Sequence, residues 1–593
     1  MFYLFDLFGS FLPLHNPIGF GGADFIEFFL ATALLAPALS RRFLTRVLSA
    51  VAPKTILCLL ALFVLPIALR LAMLRVHPIP TPLSVDDSSY VLLGDTLAHL
   101  RFSNPPHALP QFFETIFVLQ QPHYASVFQM GQGIALAIGE ILFRNPWAGV
   151  AFSIGAMCAA FYWMLRGWTT PAWSLAGAIF AALDFGALSQ WMNSFWGGAI
   201  AAIGGCIAFG ALPRLETSGA RKYAIVLGVG IGIEAVSRPY ETVFLAIAVV
   251  LYFVPRPRVF LRAAPLMVAA ALPAIGLTLV QNKSVTGSWT TLPYALSRYQ
   301  YGVPTTFTWQ PDPTPHRDLS PQQRLGFEVQ KSTHDDQAAM GFFRRLKNRA
   351  FVWRFFWLAP LLIAAPFYLR RICEYRFAWV LAAIAIFAAG TNLYPYFYSH
   401  YVAAIACLFV LLFVTALESM PPAGAQVVIY FCVAHFAFWY GLHLAGNRDF
   451  ASNLWQFETE DAINTGDPQG RAAIHATLIA APGKHLVFVR YQPNHAAIHG
   501  FEEWVYNASD IDSSRIVWAH DLGAGENEKL RRYYPDRDAW LLEPDSQPPL
   551  LAPYGESPHA VPETVAPPQT SPTLPPPGSK KKPPRFEDIP IPK

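Results

Sequence analysis

Residues 55–73 read TILCLLALFVLPIALRLAM, and residues 84–90 read SVDDSSY. The first stretch is long and apolar enough to cross a bilayer, which takes about 20 mostly apolar residues. The second sets two carboxylates, Asp86 and Asp87, just beyond its end. Charges at the mouth of a membrane helix are costly unless they face water, a cation or a substrate. The doublet therefore points to chemistry at one surface of a membrane.

The composition of the chain fits this reading. Of 593 residues, 53% are hydrophobic and 14% charged, against roughly 25% charged in an ordinary soluble protein. Mean hydropathy is +0.33, which over this length implies many apolar segments and a polytopic membrane protein. A net charge of +4, with no basic stripe or recognition motif, excludes nucleic acid as a partner. Cys58, Cys158, Cys206, Cys373, Cys407 and Cys432 all lie in apolar runs without C-x-x-C spacing. They read as buried core residues, with no disulfide or metal framework. Met1 to Asp24 holds no Lys or Arg, so it does not read as a cleaved signal peptide.

Candidate spans are 25–40, 55–75, 147–165, 172–190, 196–213, 223–237, 239–255, 260–280, 351–369, 377–392, 401–417 and 425–444. Lys and Arg in short loops mark the cytoplasmic side. Arg41, Arg42, Arg46 and Lys54 put the first loop inside, so residues 76–124, with Asp86 and Asp87, are outside. The run 125–143 decides the parity of all that follows. If it crossed, Arg214, Arg221 and Lys222 would lie outside, against the rule. Its Gln129, Gln132 and Glu140 suit an interfacial or re-entrant helix. A non-crossing 125–143 leaves twelve spans and puts Arg166, Arg256, Arg258, Arg262, Arg370, Arg371 and Arg376 inside. The loop 282–350 and the residues after 445 are then outside.

The region from 446 to 553 mixes charged and apolar residues. A helical stretch at 470–480 and strand-like runs at 485–491, 515–518 and 539–542 predict a small α/β domain. Residues 554–593, rich in Pro, cannot bury a core and read as a disordered tail.

Topology then gathers scattered polar residues on the outer face. The first loop supplies Asp86, Asp87, Tyr90, His123 and Tyr124. The tip of the 223–255 hairpin supplies Arg238, Tyr240 and Glu241. Loops around 190 and 392 supply Trp196, Asn392, Tyr394, Tyr396, Tyr398, His400 and Tyr401. A carboxylate at a water–membrane boundary can act as general base. The guanidinium fork of Arg suits a phosphate, and Tyr and Trp supply stacking surfaces at headgroup level. Together they suggest a lipid phosphate leaving group and a polar acceptor. Each also has a structural reading. The doublet could cap a helix starting near Ser88, Arg238 could pair with Glu241 in a turn, and the tyrosines could be an interfacial belt. No zinc spacing, Walker loop, G-x-S-x-G elbow or dinucleotide fingerprint is present.

Residues 50–445 resemble the GT-C superfamily of membrane glycosyltransferases, nearest its protein-mannosyltransferase and aminoarabinose-transferase-like branches. Val85-Asp-Asp-Ser-Ser-Tyr90 stands where that family carries an acidic residue on its first external loop. Gln121-Pro-His-Tyr124 with 125–143 resembles its juxtamembrane stretch. Arg238 matches a basic hairpin tip, and His400-Tyr401 a late aromatic element. The chain departs from the family in having Asp-Asp where Asp-Glu is common, an extra apolar segment at the start, and a different C-terminal region. The resemblance implies a GT-C-like α-helical polytopic membrane protein of about twelve transmembrane helices. Residues 1–54 would hold the extra segment and a cytoplasmic loop, 55–445 the catalytic domain, and 446–553 a small periplasmic α/β domain.

It also implies an inverting transferase of the bacterial inner membrane. A sugar would move from a polyprenyl-phosphate-linked donor to a lipid, glycan or protein acceptor on the periplasmic face. Asp86 or Asp87, with Asp87 preferred as the nearer to the helix start, would be the base, and Arg238 would hold the departing phosphate. His123, Tyr124, Tyr240, Glu241, Tyr398, His400 and Tyr401 would line the substrate site. The residues define no metal site or certain cofactor, although a divalent ion on the doublet would be compatible with the family. Two other readings stand beside this one: a transporter or flippase of a lipid-linked or anionic solute, and a non-catalytic envelope assembly protein.

Overall fold

Two sets of side-chain contacts sort the loops onto two opposite faces of a helical bundle. The computed structural model describes residues 50–444 except 351 and 359, then 467, 470–493, 495 and 502–555. The expected span 25–40, the basic residues Arg41, Arg42 and Arg46, residues 446–466 and the Pro-rich segment from 556 onward lie outside the described residues.

The helices of the first half are α1 (Thr55–Ala72), α2 (Val85–Ala98), α3 (Met130–Phe143), α4 (Pro146–Leu165), α5 (Pro171–Asp184) and α6 (Ala199–Ser218). Next come α7 (Arg221–Ser237), α8 (Pro239–Tyr252), α9 (Pro257–Thr286), α10 (Pro293–Tyr301), α11 (Pro321–Met340) and α12 (Phe342–Arg349). The last three of the bundle are α13 (Tyr375–Thr391), α14 (Ala406–Glu418) and α15 (Pro422–Leu444). Many open on proline: Pro146, Pro171, Pro239, Pro257, Pro293 and Pro321 each sit in the first turn. There the missing N–H costs nothing and the fixed φ already suits a helix.

Among the described residues, six helices are long and apolar enough to cross a membrane: Thr55–Ala72, Pro146–Leu165, Ala199–Ser218, Pro257–Thr286, Ser399–Glu418 and Pro422–Gly441. Four further apolar helices, Met130–Phe143, Pro239–Tyr252, Leu361–Arg370 and Tyr375–Thr391, are shorter. The chain is a multi-pass membrane protein, and length and composition alone give fewer spans than the expected twelve.

One face of the bundle is tied together near the basic residues. Arg166 bonds Thr55, Arg214 donates to the Trp163 carbonyl, Tyr252 bonds Glu216, and Arg370 donates to the Ser419 carbonyl. The opposite face gathers the ends that carry polar loops. Buried Arg70 donates to Asn193 Oδ1 and to the carbonyls of His77 and Pro78. Gln281, near the end of α9, donates to the Phe128 carbonyl, and Ser103 meets Ser284.

Helix α3 begins and ends on this second face. Phe128, just before it, is bound by Gln281, and Trp147, just after it, donates to the Met192 carbonyl and stacks under Arg70. Its 14 residues span about 21 Å, short of a hydrocarbon core of about 30 Å. Ile134, Ile138, Ile141 and Leu142 form an exposed apolar stripe, as an interfacial helix requires. Of the cysteines, Cys58, Cys158, Cys206, Cys407 and Cys432 are buried. Cys373 is exposed, which corrects its reading as a core residue: it sits in the turn that precedes α13.

A short hairpin in the first loop pairs β1 (Val118–Leu119) with β2 (Ala125–Ser126). After the bundle, β3 (Lys484–Val489), β4 (Ile516–His520), β5 (Arg537–Glu543) and β6 (Leu550–Pro553) form a four-stranded sheet of order β4-β3-β5-β6. The β3 strand runs parallel to β4 and β5, and β6 pairs antiparallel to β5. Helices α16 (Arg471–Ala480) and α17 (Ala524–Tyr533) complete the unit. It docks on the first loop: Leu92, Phe112, Phe113, Val118 and Tyr124 share one apolar cluster with Leu486, Phe488, Val517 and Leu541. Polar contacts line the rim. The Ser509 amide donates to Asp95 at 2.6 Å, Tyr124 donates to the Asn507 carbonyl, and His520 Nε2 lies 2.9 Å from the Glu114 carbonyl. Residues 84 and 502 form an isolated antiparallel bridge.

Helix α6 reaches the segment before α14 only because residue 205 has no side chain. A Cβ there would lie 1.8 Å from the Ala404 carbonyl oxygen. Gly205→Leu is therefore expected to destabilise the detergent-solubilised protein by about 1–3 kcal/mol or more, read as a fall in unfolding temperature. Gly276→Ala, where a Cβ meets nothing within 4 Å, is expected to be neutral or stabilising.

Candidate active site

Helix α2 begins one residue before the acidic doublet, at Val85, with Ser84 as its N-cap. The doublet therefore lies inside the first turn, and the expected start near Ser88 moves back by one turn. Ser84 Oγ accepts from the Asp87 amide, and Asp87 Oδ2 accepts from the Ser84 amide and hydroxyl and the Leu83 amide. This is a capping box with Asp in place of Glu. Asp87 Oδ1 accepts from the Phe195 amide at 2.8 Å. Both Asp87 oxygens are thus occupied, and they fasten α2 to the loop ahead of α6.

Asp86 faces the other way. It lines a cleft of about 680 Å³ together with Tyr90, one helical turn further on, and with Arg238, Tyr398, His400 and Tyr401. Arg238 sits at the junction of α7 and α8, where its amide donates to the Glu234 carbonyl and Pro239 opens the next helix. Among the described residues it is the only Arg or Lys lining the cleft, and its guanidinium stacks 5.2 Å from the centre of the Tyr401 ring. Among the described residues, Asp86 and Arg238 share the cavity without an ion pair within 4.0 Å. Burial, and then the neighbouring Asp87 charge, push the Asp86 carboxyl up to about 7, with Arg238 pulling against them. Burial also raises Asp87, opposed by the donors from Phe195, Leu83 and Ser84.

The rest of the wall is aromatic. Tyr398 stacks on His400 with ring centroids 5.5 Å apart, and Trp196 meets both edge-on. Tyr90 stacks on Phe128 at 4.1 Å. The backbone behind these rings is held by buried guanidiniums. Arg349 donates to the carbonyls of Thr391, Tyr394 and Pro395, and Arg345 donates to that of Asn392. Arg298 does the same for Pro304 and Thr305. Those forks are spent on carbonyls, whereas Arg238 turns towards the cavity.

Of the residues singled out in the sequence, Asp86, Tyr90, Trp196, Arg238, Tyr394, Tyr396, Tyr398, His400 and Tyr401 converge on the cleft. Four residues expected to bind substrate lie elsewhere. His123 Nδ1 lies 3.2 Å from the Val285 carbonyl. Tyr124 is buried against the C-terminal unit. Tyr240 donates to the Gly390 carbonyl and packs on Phe244 and Phe307. Glu241 is buried in the first turn of α8, outside the cleft lining. Phe117, Phe128, Tyr294, Pro304 and Gln330 line the cleft and carry no motif by which the sequence reveals them. The S-x-x-D spacing of Ser84 and Asp87 was a readable capping signal.

No protein-family model matches the chain, and no curated protein matches it in sequence. Among solved structures, the chain is similar to ArnT from Cupriavidus metallidurans in the apo state, at 10% identity and a TM-score of 0.45, over 81% of this chain and 92% of that one. The same protein bound to undecaprenyl phosphate gives a TM-score of 0.43 at 10% identity, with the same coverage. The Archaeoglobus fulgidus oligosaccharyltransferase tethered to an acceptor peptide gives 0.38 at 12% identity, over 81% of this chain and 68% of that one.

A carboxyl raised by burial holds its proton in the fold at pH values where the unfolded chain has lost it. Its contribution to stability is full below the ordinary carboxylate range and is lost as pH rises to about 7. Asp86→Asn removes that loss. Its unfolding temperature is expected to exceed that of the wild type at pH 8 and to converge with it at pH 4, measured by thermal unfolding in detergent.

Proposed function

We propose that the protein is an inverting glycosyltransferase that uses a polyprenyl-phosphate-linked sugar. The single observation that carries the reading is the cleft shared by a half-buried carboxyl, Asp86, and one guanidinium, Arg238, under an aromatic wall. Asp87, occupied by four donors, is the positioning residue, and Asp86 is the base. The acceptor N–H or O–H gives its proton to Asp86 as its heteroatom attacks the anomeric carbon. The bond from that carbon to the phosphate oxygen breaks on the opposite side, and the electron pair leaves with the phosphate. Arg238 donates to the phosphate as its charge grows. Tyr398, His400 and Trp196 provide faces for the sugar ring. A carboxyl titrating near neutrality is suited to taking the proton.

The short-loop residues Arg166, Arg214 and Arg370 lie on the face opposite the cleft, which supports a cytoplasmic assignment for that face and a periplasmic one for the cleft. The sheet unit lies on the cleft side, since it packs on the loop bearing Asp86. In this topology the bundle lies in the inner membrane of a bacterium.

In membranes supplied with radiolabelled polyprenyl-phosphate sugars, the wild type is expected to discharge the lipid-linked label onto an acceptor. Asp86→Asn should lose about 10²–10⁴-fold of that rate while keeping its fold. Asp87→Asn should fold less stably by about 1–3 kcal/mol and keep part of the activity. Label that crosses the membrane without discharge, or equal turnover by wild type and Asp86→Asn, would overturn sugar transfer and favour a carrier. The wild-type rate should rise with pH through about 7.

A further inference from the structure

Away from Asp86, a small polar cluster joins two parts of the 287–350 loop. Asp312 lies on the segment that follows Pro304, and His334 and Asp335 lie on α11. His334 Nε2 is 3.1 Å from the Phe307 carbonyl oxygen. A carbonyl only accepts, so this nitrogen carries the ring proton, and in the neutral ring Nδ1 presents a lone pair.

That lone pair is aimed at carboxylate oxygens. Nδ1 lies 3.0 Å from Asp312 Oδ1 and 3.6 Å from Asp335 Oδ1. His334 is only 4% exposed, and neither its Nδ1 nor Asp312 Oδ1 has a hydrogen-bond partner among the described residues. Three electron-rich atoms facing one another repel unless a positive charge lies between them. Lys331 does not fill that place. Its Nζ bonds the other oxygens, Oδ2 of Asp312 at 3.0 Å and Oδ2 of Asp335 at 2.7 Å.

We propose that Asp312, His334 and Asp335 bind a divalent transition-metal cation of the zinc class through Oδ1, Nδ1 and Oδ1. The three ligand atoms lie within 4.8 Å of one another, a spread that an ion with bonds of about 2.0–2.2 Å draws together by small side-chain movements. One imidazole with two carboxylates favours zinc or a neighbouring first-row ion over calcium and magnesium, which take oxygen alone. Lys331 stays on the outer oxygens and offsets part of the negative charge.

The cation would clamp the segment 304–312 to α11. Gln330, one turn before His334, lines the cleft and accepts from the Thr305 amide. Phe307, held by His334, packs on Tyr240 and Tyr394. The ion thus fixes one wall of the cleft without touching Asp86, and the proposal does not depend on sugar transfer.

The test uses the full chain in lipid nanodiscs, stripped with a chelator and titrated with Zn2+, then with Co2+. One equivalent of Zn2+ per chain is expected, with a rise in unfolding temperature, and Co2+ should give visible d–d absorption at the same stoichiometry. His334→Gln and Asp335→Asn should each weaken Zn2+ binding by at least about tenfold. Lys331→Met, which removes a competing charge, should tighten it. If His334→Gln fails to fold, Asp335→Asn decides, because that side chain is largely exposed. The proposal is overturned if the wild type binds Zn2+ no better than about 1 mM, or if both ligand variants bind as tightly as wild type.

Discussion

The carboxylate of Asp87 is the tie on which the geometry of the cleft depends. It closes a capping box with Ser84 and takes the Phe195 amide, joining the start of α2 to the loop before α6. Those two stretches are far apart in sequence and meet through this side chain. Because the first turn of a helix turns by about 100° per residue, fixing Asp87 against the protein points its neighbour elsewhere. Asp86 is aimed into the cleft because Asp87 is not. The cap is worth about 1 kcal/mol to the helix, but its larger effect is orientation.

Around that pair the protein places its positive charges with economy. Arg298, Arg345 and Arg349 are spent on backbone carbonyls, where they stiffen the loops that carry the aromatic wall. Such bonds satisfy carbonyls that irregular backbone would otherwise leave unpaired. Arg238 stands apart, stacked on Tyr401 and open to the cavity. Arg238 and Asp86 line one cavity without pairing, so the guanidinium fork is turned to that cavity rather than spent on the Asp86 carboxylate.

The face on which each loop lies was legible in the sequence, and the direction of each side chain was not. The bilayer imposes apolar runs and a charge asymmetry, so counting Arg and Lys brought Asp86, Arg238, Tyr398, His400 and Tyr401 to one surface. The same count brought His123, Tyr124 and Tyr240 there, yet the first two face α9 and the C-terminal unit and the third faces α13. Parity carries no information about rotation around a helix axis or the path of a loop. Tyr294 and Gln330 were beyond reach for a related reason: they belong to a polar loop whose elements bury only a few side chains each. Within the C-terminal unit, the runs at β3, β4 and β5 were readable as short apolar strands. The amphipathic α17 and the short edge strand β6 carry weaker patterns and were not.

The sheet unit rests on the loop that bears Asp86, through an apolar cluster and through backbone contacts at residues 84, 95 and 124. Its residues follow the bundle in the chain, so a ribosome makes them after it. Until they emerge, Leu92, Phe112 and Phe113 lack the apolar face of the sheet on which they pack. The acidic helix would thus be inserted early and supported late. A nascent chain would carry every residue of the cleft before it carried the surface that steadies them.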